Sequence, residues 1–386
     1  MLTHREQQRI ESVLAGQFKT IEGVIYLNHA AISPWPVCTT KAVMAFAEEN
    51  SAEGPEGYRH WLAREHQLRR GLATLLNAGS PADIALLKNT TEGICTVAFG
   101  LDLQPGDNIV LPRDEFPSNC LPWLAQAERG VEIRQVDIRQ AEDAEAALLG
   151  AMDDRTRLLA TSAVQWTDGF RLDLEQLGQG CRQRGVLFFV DAIQQLGALQ
   201  LDVETAHIDF LAADAHKWLL GPEGVAVFFT TAPARAQLKL LQQGWHALQD
   251  HWVFDGDAPV TDTARRFEAG SPNSLGQAAM HASLRLLLDA GMLQVEQRVL
   301  QNTARLFNGL ENIPGIELCS RQDPGRRSGI VSFRHRTKSV DQLHDDLQAM
   351  GLRCSLRNAA IRLSPHFYQG EDCMDRVLEK IEEACN

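Results

Sequence analysis

Asp191, Gln194 and Lys217 lie within one stretch, VDAIQQLGALQLDVETAHIDFLAADAHKWLLGPEG. The run GVLFFVD (185–191) reads as a buried strand ending at Asp191, with Gln194 three residues on. The run IDFLAAD (208–214) reads as a second strand ending at Asp214, followed by His216 and Lys217. In open α/β sheets, ligand-handling residues gather at the carboxyl ends of strands, so Asp191 and Lys217 are expected on one sheet edge. A lysine amine there can form a Schiff base with an aldehyde cofactor. Pyridoxal phosphate (PLP) needs such an amine, and a carboxylate that keeps its pyridine nitrogen protonated so that the ring accepts electrons. Lys217 and Asp191 suit those roles, and Gln194 suits donation to the ring's phenolic oxygen. Taken singly, each has a plainer reading: an aspartate closing a strand caps a turn, and a lysine is usually solvated.

The elements that must position these residues alternate from about 84 to 230. DNIVLP (107–112), VEIRQVD (131–137), RLLATSAV (157–164) and GVAVFFT (224–230) read as further strands. Helices are predicted over Ser118–Arg129 and 173–184. This alternation implies a mainly parallel sheet covered by helices. Beyond about 265 the texture changes to two long helices (274–290 and 293–312), short strands near 329–334 and 351–363, and a last helix over 371–384.

Bulk properties narrow the function classes. The 386 residues carry 50 acidic and 37 basic side chains, a formal net charge of -13. That field repels phosphate backbones, so no nucleic-acid partner is expected. No apolar run is long enough to cross a bilayer, so no membrane association is expected. The N-terminal segment lacks the pattern of a signal peptide. Eight cysteines are scattered without a Cys-x-x-Cys pair, which suggests reduced thiols in a cytoplasmic protein and no metal site.

The segments DAIQQLG, DAHKWLLGPEG and RFEAGSPNSLG resemble the class V aminotransferase family of fold-type I PLP enzymes. That family includes cysteine desulfurases, selenocysteine lyases, kynureninases, isopenicillin N epimerase and several C–S lyases. YLNHAAISP (26–34) and KNTTEGI (88–94) match in order, so the resemblance spans about 20 to 385. It implies an α/β fold-type I architecture, with a large domain built on a mainly parallel seven-stranded sheet and a smaller α+β C-terminal domain. The expected division is 1–20 as a helix joining the small domain, 21–270 as the large domain and 271–386 as the small one.

The resemblance also implies roles. Thr90 and Thr91 open a helix whose N-terminus suits a phosphate, although a plain helix cap is an equal reading of the residues alone. Phe116 aligns with the side chain that stacks on the cofactor ring. Desulfurases usually place a histidine there, which can move a proton where phenylalanine cannot. Gln165 falls near the ring oxygen and His216 beside the cofactor. Ser271 resembles a position that reaches the phosphate of a neighbouring subunit, which implies a homodimer with shared active sites; a simple Gly-Ser-Pro turn is the alternative. Arg362 matches the arginine that clamps a substrate α-carboxylate, with a structural ion pair as its alternative. Asn28 and His29 are expected at the entrance, unless His29 is a satisfied structural histidine.

Two departures bear on the reaction. Relatives often hold a phosphate-binding Ser or Thr three residues before the lysine; this chain has Asp214, expected to turn away from a phosphate and bond a backbone group or His216. The segment GLRCSLRNAAIRLS is too short for the cysteine-bearing loop of desulfurases, and Cys354 reads as a buried strand residue. The reading is therefore a PLP-dependent enzyme on an α-amino acid, foremost a C–S or C–Se lyase. An aminotransferase or epimerase is the alternative, and a PLP-binding regulatory protein is the non-enzyme alternative.

Overall fold

The computed structural model describes residues 4–19, 21–250, 252, 257–321 and 323–386. Helix α1 (His4–Leu14) and the short strand β1 (Ile25–Tyr26) lead into α2 (Val37–Glu53) and α3 (Tyr58–Leu76). The main sheet is built from β2 (Ile84–Leu87), β3 (Asn108–Pro112), β4 (Glu132–Val136), β5 (Thr156–Ser162), β6 (Leu187–Asp191), β7 (Phe210–Asp214) and β8 (Ala226–Thr230). Their order is β2-β8-β7-β6-β5-β3-β4. β8 is antiparallel to both its neighbours, and the remaining pairs are parallel. The α/β class and the mainly parallel seven-stranded sheet are as expected from the sequence.

Burial on both faces explains why these strands are runs of apolar residues without polar alternation. Along β6, Phe188 and Val190 enter one apolar layer with Trp218, Leu284 and Leu287, while Phe189 enters the opposite layer with Ile109, Phe210 and Phe228. Each such side chain contributes about 1.5–3 kcal/mol through removal from water. The sheet is therefore rigid where it ends, at Ser162, Asp191 and Asp214. Register fixes their mutual position: Ser162 pairs with Asp191, and Asp191 with Ala212.

A second sheet carries β9 (Ile316–Leu318), β10 (Val331–His335), β12 (Ser355–Arg357) and β13 (Ala360–Leu363), in the order β12-β13-β10-β9. β11 (Leu352–Arg353) pairs instead with β1. Ile25 and Leu27 accordingly join the core of this smaller unit with Phe307, Phe333, Leu363 and Val377. The packing also departs from the expected treatment of the N-terminal helix and of residue 271. α1 sets Ile10 into the large-sheet core, and Arg9 donates to the carbonyl of Asp289 at 2.8 Å. The helix Ser274–Ala290 sends Met280, Leu284 and Leu287 into that same core. Core membership changes only within the next helix, where Val295 and Val299 face the large unit and Leu306 and Phe307 the small one.

The β12–β13 connection is two residues, Asn358 and Ala359, with φ of 46° and 55°. Both occupy the left-handed region, as the tightest hairpin turns require. Cys354 lies in the single-residue link between β11 and β12 rather than inside a strand.

Candidate active site

The carboxyl ends of β3, β5, β6 and β7 converge on one edge, and the side chains following them build a site. Asp191 is 2% exposed. One of its oxygens accepts from Ile193 N at 3.0 Å. Burial pushes its pKa upward, and the nearby Glu115 adds to this, against the opposing pulls of the Ile193 bond and Lys217. Lys217 is partly buried, and burial pushes its pKa below the ordinary lysine value. Asp191 opposes that shift, while Arg362 and Arg357 deepen it. A low dielectric thus drives both groups toward their neutral forms. An amine held near neutrality is nucleophilic at physiological pH, as Schiff-base chemistry needs.

The Lys217 amine stands 5.7 Å from the centroid of the Phe116 ring. Phe116 is 41% exposed, which excludes a core role. Its edge-to-face contact with Trp166, centroids 5.4 Å apart, fixes the ring at the site. Gln165 is buried and donates to Glu115 at 3.1 Å. Glu115 also accepts from the backbone N of Ser162 at 2.6 Å and from the Ser162 hydroxyl. Reading the sequence alone missed Glu115. Its position just before Phe116 is the only signal, and nothing in RDEFPSN shows that this carboxylate is buried.

Gln194 is held from two sides: its amide nitrogen donates to Ala30 O and its oxygen accepts from Trp218 Nε1, each at 3.0 Å. One amide hydrogen remains for a ring oxygen. Asp214 Oδ1 lies 2.9 Å from His216 Nδ1, a close contact without good hydrogen-bond alignment. The carboxylate is thereby turned onto His216, as its departure from the common pattern required. The Asp214 backbone N donates to Thr90 Oγ1 at 2.9 Å, which ties α4 (Thr90–Gly100) to the end of β7. Asn89 caps α4 through Glu92 N at 2.9 Å, and Thr91 donates to Ser118 at 2.9 Å. The amides of Thr90 and Thr91 belong to a first turn whose N–H groups lack intrahelical acceptors, so capping and anion binding coexist there.

Arg362 is 2% exposed and lies in the middle of β13. It donates to the carbonyl of Trp166 at 2.6 Å and approaches Ser355 Oγ at 3.5 Å, while its Nε has no partner. No protein carboxylate pairs with it among the described residues. Burial, aided by Arg357, lowers its pKa to about 9. The alternative of a structural ion pair therefore fails, and the guanidinium is left for an anion from outside the chain. Ser355 donates to Asn28, which orders the strand ends around it.

His29 is fully buried, with Nδ1 2.7 Å from Ser364 O and Nε2 2.8 Å from the Tyr368 hydroxyl. Both nitrogens are taken by the protein, so His29 is a satisfied structural histidine with no ring nitrogen left for a substrate. Ser271 stands exposed on the loop before the helix Ser274–Ala290. Cys354 is buried, its thiol pushed up to about 12 by desolvation, which makes it a poor nucleophile.

A family model for class-V aminotransferases matches residues 25–373. A probable cysteine desulfurase of Methanothermobacter thermautotrophicus is 28% identical over 381 residues, covering 93% of this chain and 94% of the relative. Among solved structures, a lysine-to-alanine mutant of C-DES with glycine linked to its PLP cofactor superposes with a TM-score of 0.87 at 24% identity, covering 97% of this chain and 99% of that one. A complex of the cystine C–S lyase C-DES with its product cysteine persulfide gives 0.86 at 24% identity, covering 93% and 97%. No helix among the described residues is long and apolar enough to cross a membrane.

Proposed function

Because the chain belongs to the aminotransferase class-V family, we propose that it is a PLP-dependent lyase that breaks the Cβ–S or Cβ–Se bond of an α-amino acid. The observation that carries this reading is the buried Arg362 guanidinium, without a protein carboxylate, on the site that also holds Lys217. A two-residue β12–β13 turn leaves no loop for a catalytic cysteine, which favours release of the sulfur product over transfer to a protein thiol. The kinship with desulfurases and with C-DES supports the same substrate chemistry.

The residues present fit the cofactor. Lys217 would hold its aldehyde carbon and Asp191 its pyridine nitrogen, with Phe116 against the ring, Gln165 and Gln194 at the ring oxygen, and His216 beside it. The α4 terminus at Thr90 and Thr91 would take the phosphate, joined by Ser271 from a second copy in a homodimer. When bound, PLP supplies an electron sink for the bond broken at Cα. Arg362 clamps the substrate α-carboxylate in a planar fork. That orientation would present the Cα–H to Lys217, whose amine, freed once the substrate amine has displaced it, would take the proton. With that chemistry supplied, the Cβ–S electron pair would leave on sulfur, and addition of water would give a keto acid and ammonia as the remaining products. Trp166 would hold the Phe116 ring in place through their edge-to-face contact. A cytoplasmic location agrees with eight free cysteines among the described residues.

Incubation of purified enzyme with cysteine, cystine, selenocysteine and S-substituted cysteines tests the reading. Keto acid and ammonia are expected without an added amino acceptor. Strict dependence on a keto-acid acceptor would overturn it in favour of an aminotransferase, and racemised substrate without either product in favour of an epimerase. Binding without turnover on the whole panel would indicate a regulatory role.

A further inference from the structure

We propose that a cavity between the N-terminal segment and the last helix, Glu371–Cys385, is a second binding site, one that takes an organic carboxylate with an apolar body. The cavity has a volume of 670 Å³. The proposal goes beyond the lyase reading and does not depend on it.

The wall is apolar. Phe18, Ile21, Trp35 and Tyr368 line it. Phe18 stacks on Tyr368 with ring centroids 3.6 Å apart, which pins the N-terminal segment against the small unit. Ile21 and Trp35 stay 74% and 43% exposed, so no described residue covers their side of the wall. An apolar hollow of this size with a few polar groups at its edge is the form that small-molecule sites take. The Tyr368 hydroxyl lies 2.8 Å from His29 Nε2, and the His29 ring lies beside Trp218, whose Nε1 donates to Gln194. These rings reach from the cavity wall to the Lys217 site. None of the residues assigned to the cofactor, and not Arg362, lines the cavity.

The edge is cationic. Cys373, Arg376 and Lys380 follow one another at spacings of three and four, which aligns them along one face of the last helix, and all three line the cavity. Lys19 adds a third cation, and Glu22 is the single acid in the lining. No ion pair among the described residues engages any of the three cations. Lys380 donates one hydrogen to the Met350 carbonyl at 2.8 Å and keeps two. Arg376 donates to the Cys373 sulfur, which leaves most of its fork free. In a chain of net charge -13, three cations around an apolar hollow reverse the local sign. A guanidinium and an ammonium beside an apolar wall match a carboxylate head on an apolar body.

The test uses the PLP-loaded enzyme blocked with aminooxyacetate, whose own carboxylate occupies Arg362, so that a probe acid is not counted there. Octanoate and 2-naphthoate are titrated by calorimetry, each beside its own uncharged amide. Saturable binding of at least one acid is expected, roughly tenfold tighter than its amide. Arg376→Gln combined with Lys380→Gln should remove that advantage, the effect of two partly screened charge contacts. Alkylation of Cys373, followed by mass spectrometry of its peptide, should slow when the acid is bound, while that of Cys95, which lines another cavity, should not. A preference for octanoate gives the ligand an alkyl body and one for 2-naphthoate an aryl body; either supports the site. No saturable binding of either acid, equal binding of acid and amide, or unchanged affinity in the double variant would overturn it. Binding seen only in unblocked enzyme would place the carboxylate at Arg362 and overturn it as well.

Discussion

Replacing Arg362 with methionine should make the protein more stable and nearly inactive. The guanidinium is 2% exposed and has no carboxylate partner. Burial, with a contribution from Arg357, lowers its pKa from the ordinary arginine value to about 9. A base whose folded pKa is depressed costs stability wherever it is charged. At pH 7, below both values, the folded protein bears that cost in full; it fades only as pH rises from about 9 toward the ordinary arginine value. The drop corresponds to about 5 kcal/mol as an upper limit. Exchanges of buried charges for apolar side chains of similar volume gain about 1–4 kcal/mol in practice. Methionine also abandons the carbonyl of Trp166, now held at 2.6 Å, which costs about 1–3 kcal/mol if that oxygen stays unsatisfied. A net gain of about 1–2 kcal/mol is expected, read as a higher denaturant midpoint in urea at pH 7. Loss of the α-carboxylate clamp should meanwhile reduce kcat/KM by about 10²- to 10³-fold. A variant that unfolds at lower urea while keeping kcat/KM within tenfold would refute the reasoning and make Arg362 a structural cation.

Lys217→Ala should retain the fold but lose both the visible cofactor band and all turnover; a persistent band resistant to added amines would contradict the lysine's role. Cys354→Ser should keep kcat within about twofold, because a thiol pushed up to about 12 is not a thiolate at neutral pH; loss of sulfur release on a cysteine substrate would restore a persulfide role. His29 should make stability acid-sensitive. Burial lowers its pKa from 6.5 to about 4, against the opposing bond to Ser364. Stability is thus fully present above pH 6.5 and declines as pH falls toward 4, by about 3 kcal/mol at pH 4. His29→Asn should be less stable at pH 7 yet show a flatter stability profile between pH 7 and 4, as measured by urea unfolding; an unchanged slope would show that His29 does not titrate in that range.

The legible parts of this molecule are those where local pattern and global burial agree. GVLFFVD and IDFLAAD could be read as strands because both sheet faces are buried, so every position is apolar and the terminal aspartates stand out. The predicted helix over Ser118–Arg129 was less faithful. Pro122 sits at the start of a four-residue helix, Leu121–Leu124, and 3-10 turns flank it on both sides. The helices α2 and α3 went unread, although α3 packs Leu68, Leu72 and Leu76 into the core.

The site divides along the same line. Lys217, Asp191 and Arg362 announce themselves by type and by position at strand ends or within an apolar strand. Glu115 and Arg357 do not, because their meaning depends on tertiary burial and on strand register. Arg357 is the sharper case. The stretch 351–363 reads as strand, but a break at Cys354 and a turn at Asn358 and Ala359 divide it. Alanine is a poor marker for a left-handed turn residue, so the hairpin is silent in the sequence. A one-residue slip in that hairpin would carry Arg357 to the opposite face from Arg362. The placement of Arg357 relative to Arg362 therefore rests on a turn whose residues do not advertise it. Replacing Ala359 with glycine should relieve the left-handed strain and preserve the register. Inserting one residue there should separate the two arginines while leaving Lys217 and Asp191 in place.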